Sequence, residues 1–547
     1  MLLTFKQLIS KPIRQIRSLF YNLFKMTQNR LFKLLVFLII FLIYTPVTVN
    51  AQNEKKFQES WKSIEKVNQS PDWFKDSKFG IYAHWGPVSS AFEGADPDTW
   101  YAGWHGMKMY EDGKTVKTKN GKPSNNYIHH RNKYGNPKKY GYKHIIEQFE
   151  PTNFDAKKWA DLIAKSGAKF AGPVAMHHDN FAMWDSKVTR WNSMNYGGID
   201  PSAALKKEIE AKGMKFMGSF HHAFTWKYFA PAHAHGGIDP KDYDLYTNPH
   251  SLESDTPDEQ FYKDWWAKLK EFIDVYQPDL IWFDWWLENM TEESRLKFLA
   301  YYYNKGLEWN KDVAVCYKEA TFTEVTAIKD YERGRPNQPK ENLWLTDTSP
   351  GAWFYRPGAQ FKTPNELIDI LVDIVSKNGL MLLNVPPNPD GSIPKVMEDL
   401  LIDMGAWLRV NGDAIYATRP WTIFGEGPTR LPEGGHKVEE KIKIEYKNTD
   451  IRFTNKSDKE FFAIVMDRPE NEIVIKSLST QLGVLNSKIL KIELLGSKEK
   501  IKWVRNEKGL VIQSPKNFST EYAHAFKIIL EGYTENNIGG NVEDHVD

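Results

Sequence analysis

Between residues 52 and 415 the chain repeats one pattern, a short apolar run followed by a loop and an amphipathic stretch of helical period. Apolar runs of this length suit strands that are buried on both faces of a parallel sheet, and parallel strands need crossover segments between them. The predicted strands are Phe79–His84, Phe170–Met176, Lys215–His221, Leu280–Phe283, Val313–Tyr317, Thr326–Tyr331, Leu343–Thr346 and Leu380–Asn384. Eight strands with helices between many of them predict an α/β fold, a (β/α)₈ TIM-like barrel.

An open, doubly wound sheet is the alternative architecture for such a pattern. No Gly-x-Gly-x-x-Gly turn follows the first predicted strand, so nothing supports the nucleotide site typical of that fold. Residues 86–143 are rich in Gly, Asn, Lys, His and Tyr and are too long for a plain connection. We expect this loop to form part of a binding face.

From about residue 416 the sequence pattern changes to short apolar runs, often with alternating apolar and polar residues, that are separated by Lys-Asn-Asp-Gly turns. This pattern predicts a C-terminal antiparallel β-sandwich over residues 416–533. The predicted runs include Val438–Tyr446 and Ile451–Thr454 near its start. The polar tail, residues 534–547, is expected to be disordered.

The first 51 residues are predicted to be a signal peptide rather than part of the fold. Arg30 and Lys33 precede the apolar run 34–44, and Ala51 ends a small-residue motif of the kind that a signal peptidase cleaves. The run is shorter than the roughly 20 residues that span a bilayer, so we expect no stable membrane insertion after cleavage. Met26 is an alternative start, and an uncleaved anchor is the open alternative.

Charge and cysteine content exclude several classes of protein. The net charge is only +2, which gives no reason to expect nucleic acid as a partner. Cys316 is the only cysteine, so an internal disulfide and a cysteine-rich zinc site are excluded. Export without disulfides predicts a bacterial periplasmic or secreted protein. Aromatic residues make up 14% of the chain, which hints at carbohydrate binding.

The segment Asp279–Trp286 joins a buried strand to a carboxylate, Asp284, that directly follows it. Burying an acid costs free energy unless it is paired or takes part in chemistry. A helix-capping aspartate is the plain structural interpretation. Three neighbouring tryptophans favour a functional one, because indole faces are typical of sugar-binding clefts: Trp282, Trp285 and Trp286.

In such a barrel the active residues lie at the C-terminal ends of the strands. Seven of the eight predicted ends carry polar or charged side chains: His84, His177 with His178, His221 with His222, Asp284, Lys318 with Glu319, Glu332, and Asn384. Each histidine alone is as well explained by a core position. Their joint placement at one end of the barrel indicates a site.

Two chemistries fit these residues. Metal-dependent hydrolysis would use the histidines, but adjacent histidines on a strand point to opposite faces, and the usual His-x-His spacing is absent. Glycoside hydrolysis needs two carboxylates, with His, Trp, Asn and Lys side chains to hold sugar hydroxyls. On this second interpretation neither a metal nor a cofactor is expected, and Asp284 is one of the two carboxylates.

Five motifs in the same order, over about residues 70–421, resemble the retaining α-L-fucosidases of glycoside hydrolase family 29. They are Lys78-Phe-Gly-Ile-Tyr-Ala-His-Trp-Gly86, His177-His-Asp-Asn-Phe181 with Trp184-Asp-Ser186, Leu280-Ile-Trp-Phe-Asp284, Leu382-Leu-Asn384 with Pro389-Asp-Gly391, and Tyr416-Ala-Thr-Arg-Pro-Trp421. The family's fold is a barrel of this type followed by a β-sandwich, as the strand pattern also predicts.

The resemblance implies a role for each matching residue: Asp284 as the nucleophile, His84, His177 and His178 as contacts to fucose hydroxyls, and Trp100 and Trp282 as aromatics of the fucose pocket. Two departures stand out. Thr99-Trp100-Tyr101 lacks the glutamate that the family often has there, and Phe220-His221 replaces a Tyr-Tyr pair. We expect His221 to replace a tyrosine hydroxyl near the nucleophile, and Lys318 to contact the substrate.

The general acid/base has three candidates. Glu332, in Asp330-Tyr-Glu-Arg-Gly-Arg335, most resembles the family's acid/base region. Glu319 at the end of strand 5 is the runner-up, and Glu288 is expected to support the next helix. Burial and the nearby Asp284 charge are expected to raise the pKa of Glu332, so that it is held protonated.

The function that follows is an exo-acting, retaining α-L-fucosidase that removes terminal α-L-fucosyl residues from a fucosylated glycan by double displacement. Basic residues in the 104–143 loop suit a fucan-type polysaccharide, and a solvated lysine-rich loop explains them equally well. Two alternatives stay open: a catalytically weak fucose-binding protein with the sandwich as a carbohydrate-binding module, and a metal-dependent barrel hydrolase.

Overall fold

The computed structural model describes residues 56–92, 102–432, 437, 439 and 442–532. The predicted signal peptide, Trp100 and the predicted disordered tail lie outside these residues. Within the described ranges, no helix is both long enough and apolar enough to cross a membrane.

Eight parallel strands form a closed barrel in the order in which they occur in the chain. They are β1 (Phe79–Ala83), β2 (Phe170–Met176), β3 (Lys215–Phe220), β4 (Leu280–Phe283), β5 (Ala314–Tyr317), β6 (Ile328–Asp330), β7 (Trp344–Thr348) and β8 (Gly379–Val385). The barrel closes where β1 pairs with β8, with Ile81 opposite Leu383. The predicted barrel is confirmed.

Helices surround the barrel and fill its longer loops. They are α1 (Trp61–Ile64), α2 (Asp72–Ser77), α3 (Pro87–Ser90), α4 (His105–Lys108), α5 (Asn125–Lys133), α6 (Lys143–Ile146), α7 (Ala156–Lys165), α8 (Ser193–Gly197), α9 (Pro201–Ala211), α10 (Thr225–His235), α11 (Tyr243–Tyr246), α12 (Glu259–Tyr276), α13 (Glu292–Trp309), α14 (Pro364–Ser376) and α15 (Lys395–Asn411). The prediction of a loop over residues 86–143 is therefore wrong in part, because α3, α4 and α5 lie within it. Every residue between β5 and β7 is described, and neither of these two crossovers contains a helix.

Strand β4 shows how side-chain alternation positions the site. Leu280 and Trp282 pack inside the barrel, whereas Ile281 and Phe283 pack outward with the surrounding helices. Successive side chains of a strand point to opposite faces, so Asp284 continues the inward series at the C-terminal end. The same alternation directs side chains inward at the ends of the neighbouring strands.

The C-terminal strands form two antiparallel sheets, as predicted. The larger sheet has the order β13-β16-β11-β10-β9 and the smaller has the order β12-β15-β14. Their bounds are β9 (Arg419–Glu426), β10 (Ile451–Ser457), β11 (Glu460–Val465), β12 (Glu472–Ile475), β13 (Ile489–Leu494), β14 (Trp503–Asn506), β15 (Gly509–Gln513) and β16 (His524–Leu530).

Two details of the sandwich differ from the sequence prediction. The described residues 442–446 form no strand, because Ile444 and Tyr446 pack against the core of the barrel domain instead of joining a sheet. Strand β9 was not predicted, since Pro420 and Gly425 inside it are typical of turns. It is an edge strand, where a proline costs no central hydrogen bond.

A buried ion cluster joins the barrel to the sandwich. Asp373 of α14 is fully buried and lies 2.9 Å from Lys377 on its own helix and 2.7 Å from Arg452 on β10. Arg335, 3.5 Å away, completes the cluster. The three cations outweigh the effect of burial and hold the pKa of Asp373 well below its usual range.

Candidate active site

A cavity of about 500 Å³ opens at the C-terminal ends of the barrel strands. Most of the predicted site residues line it: His84, His177, His178, His221, Asp284, Lys318, Glu319 and Glu332. Its volume is in the usual range for a small-molecule site. A larger cleft of about 1390 Å³ lies on the sandwich, but none of the predicted catalytic residues line it.

Asp284 is held by three basic side chains and is almost inaccessible. Its Oδ1 accepts a hydrogen bond from Lys318 Nζ at 2.9 Å, and its Oδ2 lies 3.0 Å from Nδ1 of His221. His178 Nε2 is 3.6 Å from Oδ2. Burial by itself raises the pKa of Asp284, but Lys318 and His221 outweigh it and hold the pKa well below the usual range. The carboxylate is therefore ionised and oriented.

Lys318 joins the two predicted catalytic carboxylates. Its Nζ donates to Glu332 Oε2 at 2.9 Å as well as to Asp284, and it lies 3.1 Å from Asp347 Oδ2. The bonded oxygens of Asp284 and Glu332 are therefore no more than twice 2.9 Å apart. Burial lowers the pKa of Lys318, yet the surrounding carboxylates raise it well above its usual value.

The expected protonation of Glu332 is not what the structure shows. Burial raises the pKa of Glu332, but the attraction of Lys318, aided by Lys437, outweighs burial and leaves the pKa below its usual value. Lys437 Nζ is 3.6 Å from Glu332 Oε1, and the Lys437 backbone N–H donates to the Glu332 carbonyl at 2.8 Å. Lys318 and Lys437 thus hold Glu332 as a carboxylate.

A second carboxyl pair lies in the floor of the pocket. Asp330 accepts hydrogen bonds from Trp282 Nε1 at 2.6 Å and from the Asp347 backbone N–H at 3.0 Å. Tyr82 donates to Asp347 Oδ2 at 2.9 Å. Burial and the charge of Asp347 raise the pKa of Asp330 well above its usual value. Three carboxylates contact Lys318 and Asp330 lies beside them, so Asp330 keeps its proton to a higher pH than an ordinary aspartic acid does.

The histidines occupy one side of the cavity. His84 Nδ1 lies 2.8 Å from Asn384 Oδ1, and His178 Nδ1 lies 2.8 Å from the His221 carbonyl. Burial lowers the pKa of His84 and His177 well below the usual value and that of His178 to about 4. These neutral rings can both donate and accept hydrogen bonds, as sugar hydroxyls require.

The expectation that adjacent histidines face opposite ways is half right. His221 lines the catalytic cavity, whereas His222 lines a different one. His177 and His178 both line the catalytic cavity, because β2 ends at Met176 and alternation does not continue into the turn.

Some side chains come close enough to hold a metal ion. One ligand atom from each of His84, His177 and His221 lies within 4.8 Å of the others, and the same holds for His178, His221 and Asp284. Both ring nitrogens of His221 already have partners, Asp284 at 3.0 Å and Ser219 at 2.9 Å. A metal in either triad would have to displace one of these contacts.

The remaining predicted residues occupy different positions. Trp282 is fully buried under the floor and does not line the cavity, although its ring centroid is 4.9 Å from Lys318 Nζ. Glu319 is exposed at the rim. Burial and nearby carboxylates raise the pKa of Glu288, but this residue does not line the cavity.

Several lining residues were missed by the sequence prediction: Tyr82, Trp104, Arg333, Asp347, Trp353 and Lys437. Side-chain alternation along β7 would have predicted that Asp347 points inward, because it lies two residues after the inward Leu345. It was missed because the predicted strand ended at Thr346, one residue too early. The ring centroid of Trp104, which lies within the long loop, is 5.7 Å from that of His178, and no sequence periodicity marks this residue.

The backbone turns sharply after the catalytic strands. Glu319 follows Lys318 with φ of 55°, and Arg333 follows Glu332 with φ of 44°. Non-glycine residues in this left-handed region carry strain that is concentrated at functional sites. These turns direct the chain away from the cavity just after each charged side chain has entered it.

The barrel, the closely spaced carboxylates and the imidazole-lined cavity define a glycoside hydrolase. The alpha-L-fucosidase family model matches residues 45–413, and the model of the alpha-L-fucosidase C-terminal domain matches residues 445–529. The chain therefore belongs to the alpha-L-fucosidases of glycoside hydrolase family 29.

Individual relatives agree with this assignment. The tissue alpha-L-fucosidase of Rattus norvegicus is 27% identical over 489 residues, which cover 86% of this chain and 92% of the relative. A crystal structure of Thermotoga maritima alpha-fucosidase in complex with fucose is 27% identical, with a TM-score of 0.66, and covers 86% of this chain and 100% of that one. A Bacteroides thetaiotaomicron alpha-L-fucosidase, trapped as a covalent intermediate, is 19% identical, with a TM-score of 0.59. The match covers 84% of this chain and 96% of that one, and this likeness shows a shared fold.

Proposed function

We propose that this protein is an exo-acting, retaining α-L-fucosidase that releases terminal α-L-fucosyl residues by double displacement. The supporting observation is the spacing of Asp284 and Glu332, whose oxygens both lie 2.9 Å from Lys318 Nζ. Retaining enzymes have carboxyl groups about 5–5.5 Å apart, whereas inverting enzymes need roughly 6.5 Å or more to admit water. The enclosed cavity suits one terminal sugar.

In the first step Asp284 attacks the anomeric carbon and forms a glycosyl ester, while Glu332 gives its proton to the leaving oxygen as the glycosidic bond breaks. In the second step water attacks the same carbon, Glu332 takes a proton from the water, and the ester bond to Asp284 breaks. Glu332 must first gain a proton, so we propose that a bound sugar separates it from Lys318.

The neutral imidazoles are proposed to hold the hydroxyls of the sugar. His84 is fixed by Asn384 and His178 by the His221 carbonyl, so both rings are oriented before a substrate arrives. Trp104 and Trp353 line the same cavity and offer apolar faces. Trp100 belongs to the same proposal through its family position alone.

The natural substrate is proposed to be a fucosylated glycan, with a fucan-type polysaccharide as one candidate. Lys437 and Arg333 at the cavity add positive charge that suits an acidic chain. We also propose export to the periplasm or medium after cleavage behind Ala51, from the sequence pattern alone. N-terminal sequencing of the protein recovered from a bacterial host tests that cleavage.

The decisive experiment measures hydrolysis of an aryl α-L-fucoside by wild type, Asp284→Gly and Glu332→Ala. We expect losses of at least about 10³-fold for Asp284→Gly and of roughly 10²–10⁴-fold for Glu332→Ala. Azide should rescue both variants and give fucosyl azides of opposite anomeric configuration. Glu319→Ala is the matched control and should retain activity. Wild-type turnover by Asp284→Gly would overturn the proposal.

A further inference from the structure

A second cavity, of about 300 Å³, lies between α12, the segment at and after α11 and the residues that follow β2 and β3. It shares no lining residue with the catalytic cavity. His222, which lines it, directly follows His221 of the catalytic cavity, so one turn of backbone separates the two spaces.

Lys268 projects a buried ammonium group into this second cavity. It is only 5% exposed, and its Nζ donates to Asn180 Oδ1 at 2.9 Å. Among the described residues no carboxylate lies within ion-pair distance of it. Burial lowers the pKa of Lys268 to about 8. An ammonium with three protons and one amide partner retains donors for a further acceptor.

Two further polar atoms in the lining are buried and have no partner within the described chain. They are Nε1 of Trp265 and Nδ1 of His222, and both side chains are only 2% exposed. A buried polar atom without a partner costs free energy, and such atoms are rare unless water or a ligand satisfies them. Because His222 Nε2 faces the Trp265 carbonyl at 3.4 Å, Nδ1 is left as an acceptor.

The rest of the lining determines the chemistry that fits. Tyr243, Phe261 and Trp265 supply aromatic surface, and Asp244 and Asp264 supply exposed or half-exposed carboxylates near the opening. The aspartates disfavour an anion, and the buried ammonium disfavours a cation. Donors and acceptors that alternate around aromatic walls are typical of sites for polyhydroxylated molecules.

We propose that this cavity is a second binding site, which takes a neutral polyol of monosaccharide size independently of catalysis. The hydroxyl groups would accept hydrogen bonds from Lys268 and Trp265 and donate to His222 and Asp264. The inference does not depend on the proposed double displacement, because it uses none of the catalytic side chains.

Saturation-transfer NMR with D-galactose and D-mannose tests the proposal on the full-length enzyme, and variants of the second cavity distinguish binding there from binding at the catalytic cavity. We expect transfer to at least one hexose with the wild-type enzyme. Trp265→Phe keeps the aromatic wall but removes the indole N–H, and Asp264→Ala removes a carboxylate at the rim. Each should weaken binding by about tenfold, as the loss of a hydrogen bond to a charged or buried partner implies.

Trp266→Phe is the matched control, because Trp266 is the neighbouring tryptophan on α12 and packs against Tyr301 instead of the cavity. It should bind the hexose as wild type does. Equal binding by all variants, or no binding of either hexose at 50 mM (about the weakest useful affinity), would overturn the proposal.

Discussion

The ammonium group of Lys318 donates to Glu332 at 2.9 Å and so favours the ionised form of the proposed acid. The same ammonium holds Asp284 at 2.9 Å. One buried cation therefore sets the proton state of both groups on which the reaction depends, and the pH dependence of activity should report on it.

Replacing Lys318 by methionine should move the acid limb of the kcat/KM profile to higher pH. The cation lowers the pKa of Asp284, so without it the nucleophile is protonated at pH values where the wild type is active. A pH profile with an aryl α-L-fucoside measures the shift. Lys318→Arg keeps the charge and is the control, and an unmoved acid limb in Lys318→Met would contradict the assignment.

Replacing Lys437 by alanine should move the basic limb of kcat/KM to higher pH. Lys437 lies 3.6 Å from Glu332 and helps to lower its pKa, so its removal raises the pH at which the free enzyme loses the catalytic proton. Lys443→Ala removes an exposed lysine whose partners are Glu366 and Glu445, and it should leave the limb in place. Identical profiles for both variants would contradict a role for Lys437.

Asp330→Asn should make stability less dependent on pH. The pKa of Asp330 is raised in the folded state. The protonated carboxyl therefore adds its full contribution to the free energy of unfolding below the unfolded-state pKa of about 3.9, and this contribution is lost as pH rises through the folded-state pKa. The difference in free energy of unfolding between the variant and the wild type should therefore shift in favour of the variant as pH rises. Urea unfolding at several pH values measures it, and a constant difference would contradict the raised pKa.

Asp373→Ala should destabilise the fold strongly, by about 3–5 kcal/mol, because it leaves Arg335, Lys377 and Arg452 buried without their anion. The pKa of Asp373 is lowered in the folded state. The contribution of this carboxylate to the free energy of unfolding is therefore complete above the unfolded-state pKa and is lost as pH falls. Thermal and urea unfolding at neutral pH measure the loss. Asp399→Ala, at an exposed pair with Lys395, should leave the unfolding midpoint unchanged.

Chelators should leave activity unchanged, whereas added Zn²⁺ should inhibit in competition with the fucoside. The imidazoles of His84, His177 and His221 lie close enough to bind the ion, but the proposed chemistry needs none. Initial rates with EDTA and with increasing Zn²⁺ measure both effects. Loss of activity in EDTA that Zn²⁺ restores would instead favour the metal-dependent alternative.

Much of the barrel is readable from the sequence because its strands are buried on both faces. The apolar runs predicted the strand bounds to within two residues, and the position of Asp284 and Lys318 at strand ends predicted that both line the cavity. Asp347 was missed because β7 continues to Thr348, beyond the apolar run that marked it. A polar strand end has no hydrophobic signal.

The electrostatic error has a different origin. The pKa of Glu332 was expected to rise because Asp284 is near, but Lys318 lies between them and reverses the effect. The position of these residues at strand ends shows that their charges lie near one another. It does not show that the charge of Lys318 lies between the two carboxylates. Lys437 could not be predicted either, because it reaches the cavity from the segment between β9 and β10.

That segment follows the first sandwich strand, yet its backbone pairs with the loop that carries Glu332: Lys437 and Glu439 donate to the carbonyls of Glu332 and Arg333. Part of the wall around Glu332 is therefore encoded beyond the barrel. A chimera that joins this barrel to the sandwich of a relative at the end of α15 would also replace the residues of the 437–439 segment that surround Glu332. The junction of such a chimera is therefore better placed after residue 439.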